Sequence, residues 1–125
     1  MRIVKSRPWA EIAEQYRTLS EKHARFRSMQ NLVEQIVASK YSSGLFAVTS
    51  MQTLLIAQTP EFDWDKEILR VSLDLDSGAL VFDFQETGSK LRKYQHWIRR
   101  CPPEEGFSRL ERFLELKKWF VEYKP

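Results

Sequence analysis

Between Ile68 and Glu86 the chain reads ILRVSLDLDSGALVFDFQE, and apolar and polar positions alternate through it twice. Leu69, Val71, Leu73 and Leu75 fall on one side of the first run, with Arg70, Ser72, Asp74 and Asp76 on the other. Leu80, Phe82 and Phe84 repeat the pattern against Val81, Asp83 and Gln85. A period of two with one apolar side predicts two half-buried antiparallel strands, joined at Asp76-Ser77-Gly78. A tight turn there sets Leu75 across from Leu80, Leu73 across from Phe82, and Val71 across from Phe84. A slip of one residue, with Leu73 against Val81, would turn the whole apolar set to water.

The N-terminal third has a different period. Apolar positions run Trp9, Ile12, Tyr16, Leu19, His23, Phe26, Val33 and Val37, near three and four apart, and no Gly or Pro interrupts residues 9–40. That spacing predicts helix, opened by Ser6 and Pro8. Thirty residues of helix would span about 45 Å, whereas a domain of this length is about 35 Å across. Either the helix breaks, with Thr18/Glu21 or Ser28 as capping candidates, or one end projects. Positions 9, 16, 23, 30 and 37 with 12, 19, 26 and 33 form a heptad frame, interrupted by His23 and Gln30. In the projecting case Tyr16, Phe26 and Val33 are the candidate interface residues.

Elsewhere the runs are shorter. Leu45 to Thr49 and Thr53 to Gln58 are of strand length, with a helix through 45–57 as the alternative. Thr59 to Lys66 reads as a connecting loop. Residues 90–101, KLRKYQHWIRRC, suit either a strand over about 93–100 or a helix striped by Leu91, Tyr94, Ile98 and Cys101; short flanking turns and the aromatic content favour the strand. Pro102-Pro103 ends it. Phe107, Leu110, Phe113, Leu114, Leu116, Phe120 and Val121 stripe a final helix, with Glu104 and Glu105 at its positive end. The expected fold over residues 1–125 is a single two-layer α+β domain: N-terminal helical segments, a four- to five-stranded antiparallel meander and a C-terminal helix.

Composition changes this picture little. Apolar residues are 42% and charged residues 30% of 125, as in an ordinary folded domain. Cys101 is the single cysteine, which removes internal disulfides and cysteine-based zinc clusters. No run approaches the roughly 18 apolar residues of a membrane span, and the N-terminus lacks a leader pattern. A cytoplasmic, soluble protein is expected. The net charge of +3 hides blocks: +4 over residues 1–40, −6 over 61–88 and +5 over 89–101. Adjoining opposite blocks suit internal pairing more than a charged partner.

Candidate chemistry is sparse. Cys101 and His96 sit five residues apart in the expected strand, on opposite faces and about 16 Å apart along it, so they make no nucleophile–base pair; a buried thiol is the simpler expectation. His23, in the helical stripe, is expected to be a hydrogen-bonded packing residue. Asp74-Leu75-Asp76-Ser77-Gly78 resembles the opening of a calcium loop, but an alternating strand follows where ligands are needed, so a turn is expected. Asp63, Asp65 and Glu67 interleave with Phe62 and Trp64, and plugging a sheet edge outweighs a cation site there. No catalytic, metal or cofactor site is assigned.

The strongest binding signal is Lys90, Arg92, Lys93, Tyr94, Trp97, Arg99 and Arg100, cations interleaved with aromatics as in nucleic-acid sites. On the sheet face away from the helices, Lys93, Trp97 and Arg99 would join Arg70 as a platform, opposed by Asp74 and Asp83. The favoured functional expectation is a non-enzymatic protein-interaction module with a protein partner, or a homodimer through the N-terminal helices. A nucleic-acid-binding module using residues 90–100 is the alternative. A small-molecule binder with a pocket between helices and sheet is the third.

Overall fold

The computed structural model describes residues 4–62, 67–85 and 96–119. These form β1 (Val4–Lys5), α1 (Trp9–Lys22), α2 (Arg27–Val37), β2 (Phe46–Ser50), β3 (Thr53–Ala57), β4 (Glu61–Phe62), β5 (Leu69–Leu73), β6 (Leu80–Gln85), β7 (His96–Cys101) and α3 (Gly106–Lys117), with 3-10 turns at 24–26, 40–43 and 103–105. Strands β2-β3-β5-β6-β7 make one antiparallel meander, and β1 and β4 pair as a separate ribbon. The α+β order is therefore as expected. The short pair β4 lies within the stretch read as loop, and the strand read as 93–100 is described over 96–101.

The long helical zone breaks. His23 is extended (φ −137°, ψ 99°), a 3-10 turn follows, and α2 restarts at Arg27 without a side-chain cap. This corrects the unbroken helix with a projecting seam. Neither Thr18 nor Ser28 caps the restart, and Ser6 is no cap for α1, its amide donating instead to Pro60 O. The chain turns because both apolar stripes have a place on the same sheet. Tyr16, Phe26 and Val33 are 0%, 6% and 0% exposed, inside a core with Ile12, Met29, Leu32 and Ile36. Ser20 Oγ joins the two helices by donating to Gln30 Oε1 at 2.6 Å. His23 is exposed at the break, edge-on to Phe26, rather than a packed stripe residue.

The β5–β6 register differs from the expectation by two residues. Leu73 faces Leu80, Val71 faces Phe82 and Leu69 faces Phe84. Asp74 is the reason. Its Oδ1 accepts from the amides of Asp76 and Ser77, and its carbonyl accepts from Gly78 N, which has φ +80°. This local closure opens the loop one pair earlier and leaves Leu75 54% exposed. A shift of two preserves the face, so Leu69, Val71, Leu80, Phe82 and Phe84 remain buried under the helices.

Among the described residues, the other sheet face is covered at the β2–β3 end. Phe62 is fully buried there with Val48, Leu55, Ala57 and Ile68. At the opposite end α3 is fixed on the helix side. Gly106 lets its first turn approach Leu80, whose Cδ1 would lie 2.5 Å from an added Cβ. Lys118, left-handed at φ 56°, ends the helix: its amide donates to Glu115 O and that of Trp119 to Leu114 O. This closure folds Trp119 onto Phe84 and Phe113, at centroid distances of 5.6 and 5.2 Å. Leu116, expected in the buried stripe, is exposed; Phe120 and Val121 lie outside the described residues.

Candidate functional site

Strand β7 ends the sheet, paired only with β6 among the described residues. The pairs Phe84–Trp97, Phe82–Arg99 and Leu80–Cys101 put Trp97, Arg99 and Cys101 on the helix side. Ile98 and Arg100 therefore share the open face with Arg70, Val81 and Asp83. This corrects the platform expected from the sequence: Trp97 and Arg99 lie on the face opposite Arg70. Arg100 instead pairs with Asp74 across the open face, the internal compensation that the adjoining charge blocks suggested. The Arg100 guanidinium, with the Asp76 and Ser77 amides behind it, holds the Asp74 carboxyl below the usual carboxylate range. Lys90, Arg92, Lys93 and Tyr94 lie outside the described residues, as do Asp63, Trp64 and Asp65.

Trp97 is half-buried, 5.2 Å from Phe113 by ring centroids, with the Arg99 guanidinium 4.8 Å over its ring. From α3, Arg109, Arg112 and Leu116 recur at spacings of three and four, so they share a flank of the helix. The buried line of α3 is Leu110, Phe113 and Leu114. One flank of that line turns towards β7 and carries the arginines. On the other, the Glu111 carboxylate accepts from the Tyr41 hydroxyl at 2.9 Å. A groove of about 270 Å³ lies between the arginine-bearing flank and β7, lined by Trp97, Arg99, Arg109, Arg112, Phe113 and Leu116.

The three guanidinium groups of the groove have few partners. Arg109 Nη2 lies 3.4 Å from Glu105 Oε1, and Arg99 Nη1 donates to Ile98 O at 2.8 Å. Arg112 has no ion-pair partner among the described residues. Arg109 and Arg112 are the residues the sequence reading missed. Their spacing on the last helix was visible, but which flank of α3 faces β7 is settled by tertiary packing of Gly106 and Trp119.

Cys101 is buried in the core under the helices, and burial pushes its thiol up. The described residues contain no cluster of three metal-ligating side chains. Two larger clefts are open and less convergent: about 730 Å³ beside α2 and Pro103-Glu104, and about 470 Å³ beside Arg7, Trp9 and Phe46. Compared with known proteins, the chain matches no protein-family model, no curated protein and no solved structure.

Proposed function

We propose that this protein is a non-enzymatic protein-interaction module, and that the groove between α3 and β7 docks an acidic segment of a partner protein. The observation that carries the reading is the convergence of Arg99, Arg109 and Arg112 over the apolar floor of Trp97 and Phe113. Guanidinium groups meet carboxylates in two-pronged hydrogen bonds, and the low-dielectric floor strengthens them. Arg and Trp are also the side chains that dominate protein interfaces energetically. A volume near 270 Å³ suits two or three side chains of an incoming segment better than a cofactor.

The same geometry weighs against nucleic acid. Base stacking needs an open aromatic face, and Trp97 already carries the Arg99 guanidinium there. Fluorescence anisotropy of a labelled nonapeptide of alternating Glu and Thr tests the reading against a Lys/Thr peptide and a nine-nucleotide single-stranded DNA. The Glu peptide is expected to bind, more weakly as salt rises, and Arg109→Glu with Arg112→Glu should abolish binding in a chain that stays folded. Tighter binding of the oligonucleotide than of the Glu peptide would return the site to nucleic acid, and no binding of the Glu peptide would end the reading.

A further inference from the structure

We infer that the acidic segment is held as an added strand on the β7 edge, with every second side chain entering the groove; the inference rests on the acidic-segment reading above and specifies how the segment is bound. The backbone parity of the sheet carries it. In an antiparallel ladder, residues that bond one neighbour turn no backbone group to the other. Asp74 N donates to Ala79 O, and the position of this single ladder bond assigns Arg70–Asp83 and Ser72–Val81 to the bonds between β5 and β6. Leu80, Phe82 and Phe84 must then bond Cys101, Arg99 and Trp97. The backbone groups of His96, Ile98 and Arg100 are left facing outward at the edge of the sheet.

An independent contact agrees. The Arg99 guanidinium donates to Ile98 O at 2.8 Å, as only an outward-facing carbonyl allows without competing with β6. Arg99 therefore covers the edge in the free protein, one way a sheet avoids unwanted pairing. A carboxylate in the groove offers that guanidinium a charged acceptor in place of a neutral carbonyl. Taking it releases Ile98 O for a ladder bond. Docking of charge and opening of the edge are thus one event.

Strand spacing fits the groove. An added strand would lie about 4.8 Å beyond β7, and its side chains would alternate between the two faces. Those on the helix side would stand beside Trp97 and Arg99, facing Arg109 and Arg112 on α3. Those on the open face would lie beside Ile98 and Arg100. The partner's pattern is therefore acidic at every second residue, with neutral β-favouring residues between. A second copy of this chain is a poor occupant, because β7 against β7 would bring Arg99 and Arg100 next to their own kind, and like charges across a ladder repel.

Backbone methylation separates strand addition from docking by charge alone. In an antiparallel addition, the residues bonded to Ile98 and Arg100 share their open face, so they are the Thr positions of the Glu/Thr nonapeptide. Two isomers are compared with the parent by anisotropy on the full chain, one N-methylated at its Thr positions and one at its Glu positions. The Thr-methylated isomer should bind at least tenfold more weakly, the Glu-methylated one within about twofold of the parent. Loss confined to the Glu-methylated isomer would also support strand addition, in the parallel sense. On binding the parent, the amides of Ile98 and Arg100 should exchange more slowly with solvent. Equal binding by the two isomers, with the parent bound, overturns strand addition while leaving acidic docking intact; failure of the parent itself overturns both.

Discussion

The two outer strands of the sheet are finished in opposite ways. On β2, the N-terminal segment and α1 supply the missing partners: Arg7 N donates to Ala47 O at 2.8 Å and the Trp9 indole to Leu45 O at 2.9 Å. Arg7 also donates to Gln15 and Thr49. On β7, the Arg99 guanidinium donates to Ile98 O, the one hydrogen bond to an outward backbone group of this edge among the described residues. The same contrast holds on the outer face, which Phe62 seals over β2 and β3, whereas Ile98 beside β6 is exposed. A strand end closed by backbone pairing and buried aromatics is structure. One covered by the exposed Arg99 side chain, beside Arg109, Arg112 and an aromatic floor, is where the proposed partner would complete the sheet.

The largest expected effect comes from truncating the outer face at each end. Phe62→Ala removes a fully buried ring and should cost about 3–5 kcal/mol in denaturant titration. Ile98→Ala, at the exposed end, should stay within about 0.5 kcal/mol. Comparable losses would mean that both ends are equally sealed, and the distinction between structure and docking surface would disappear.

A smaller effect sharpens the contrast between edges. Trp9→Phe keeps most of the ring and deletes the donor to Leu45 O, so it should cost about 1 kcal/mol. Arg99→Ala deletes the corresponding donor at the other edge, but from an exposed residue whose acceptor can turn to water. It should leave stability nearly unchanged and weaken binding of the Glu/Thr peptide. A larger stability loss from Arg99→Ala than from Trp9→Phe would show that the β7 edge is held as firmly as β2.

The tie between Tyr16 and the β2–β3 turn gives an effect of the same size or less. Met51 and Gln52 both have positive φ, 49° and 71°, in a two-residue turn of a kind usually built from Asn and Gly. The Tyr16 hydroxyl donates to Gln52 O at 2.9 Å and, by burial, holds its proton well above the ordinary phenol range. Tyr16→Phe should cost about 0.5–1.5 kcal/mol. The phenol's preference for its neutral form favours the folded state fully below the ordinary tyrosine pKa, and that contribution is lost as pH rises from there towards the raised value. Identical alkaline unfolding of wild type and Tyr16→Phe would remove this reading.

What was legible in the sequence followed from period. Alternation over 69–84 identified two strands and their buried face, because a pleated strand must send alternate side chains to opposite sides. The three- and four-residue spacing identified α1, α2 and α3 for the same kind of reason. Register was not legible, because it was decided by one side chain, Asp74, whose bonds to two amides outcompete a tight Asp-Ser-Gly turn. The helix break was legible from the length of the zone, but its place was not: His23 and Phe26 carry no stop signal, Thr18 and Ser28 do not cap the restart, and the turn reflects the sheet area available to both stripes. Of the candidate site, Trp97 and Arg99 were named from local sequence. Their face and their companions Arg109 and Arg112 depend on register and on how α3 is seated, which no local pattern encodes.

The smallest expected effect concerns Arg100, which the open face ties to the β5–β6 loop and so keeps out of the groove. Its pairing with Asp74, followed by the amides of Asp76 and Ser77, lowers the Asp74 pKa. A carboxylate whose folded pKa is depressed contributes stability above its ordinary pKa, and that contribution is lost as pH falls through the depressed value. Arg100→Ala removes the largest cause while both amides remain. The carboxyl carbon of Asp74, followed by NMR, should therefore titrate below the ordinary Asp range in wild type and move up, without fully reaching that range, in Arg100→Ala. The pair is exposed and screened by salt, so the two proteins should differ little in stability near neutral pH and converge in acid. If the Asp74 titration is unchanged by Arg100→Ala, Arg100 is not committed to the loop. It would then join Arg99 as a second cation available to whatever docks along β7.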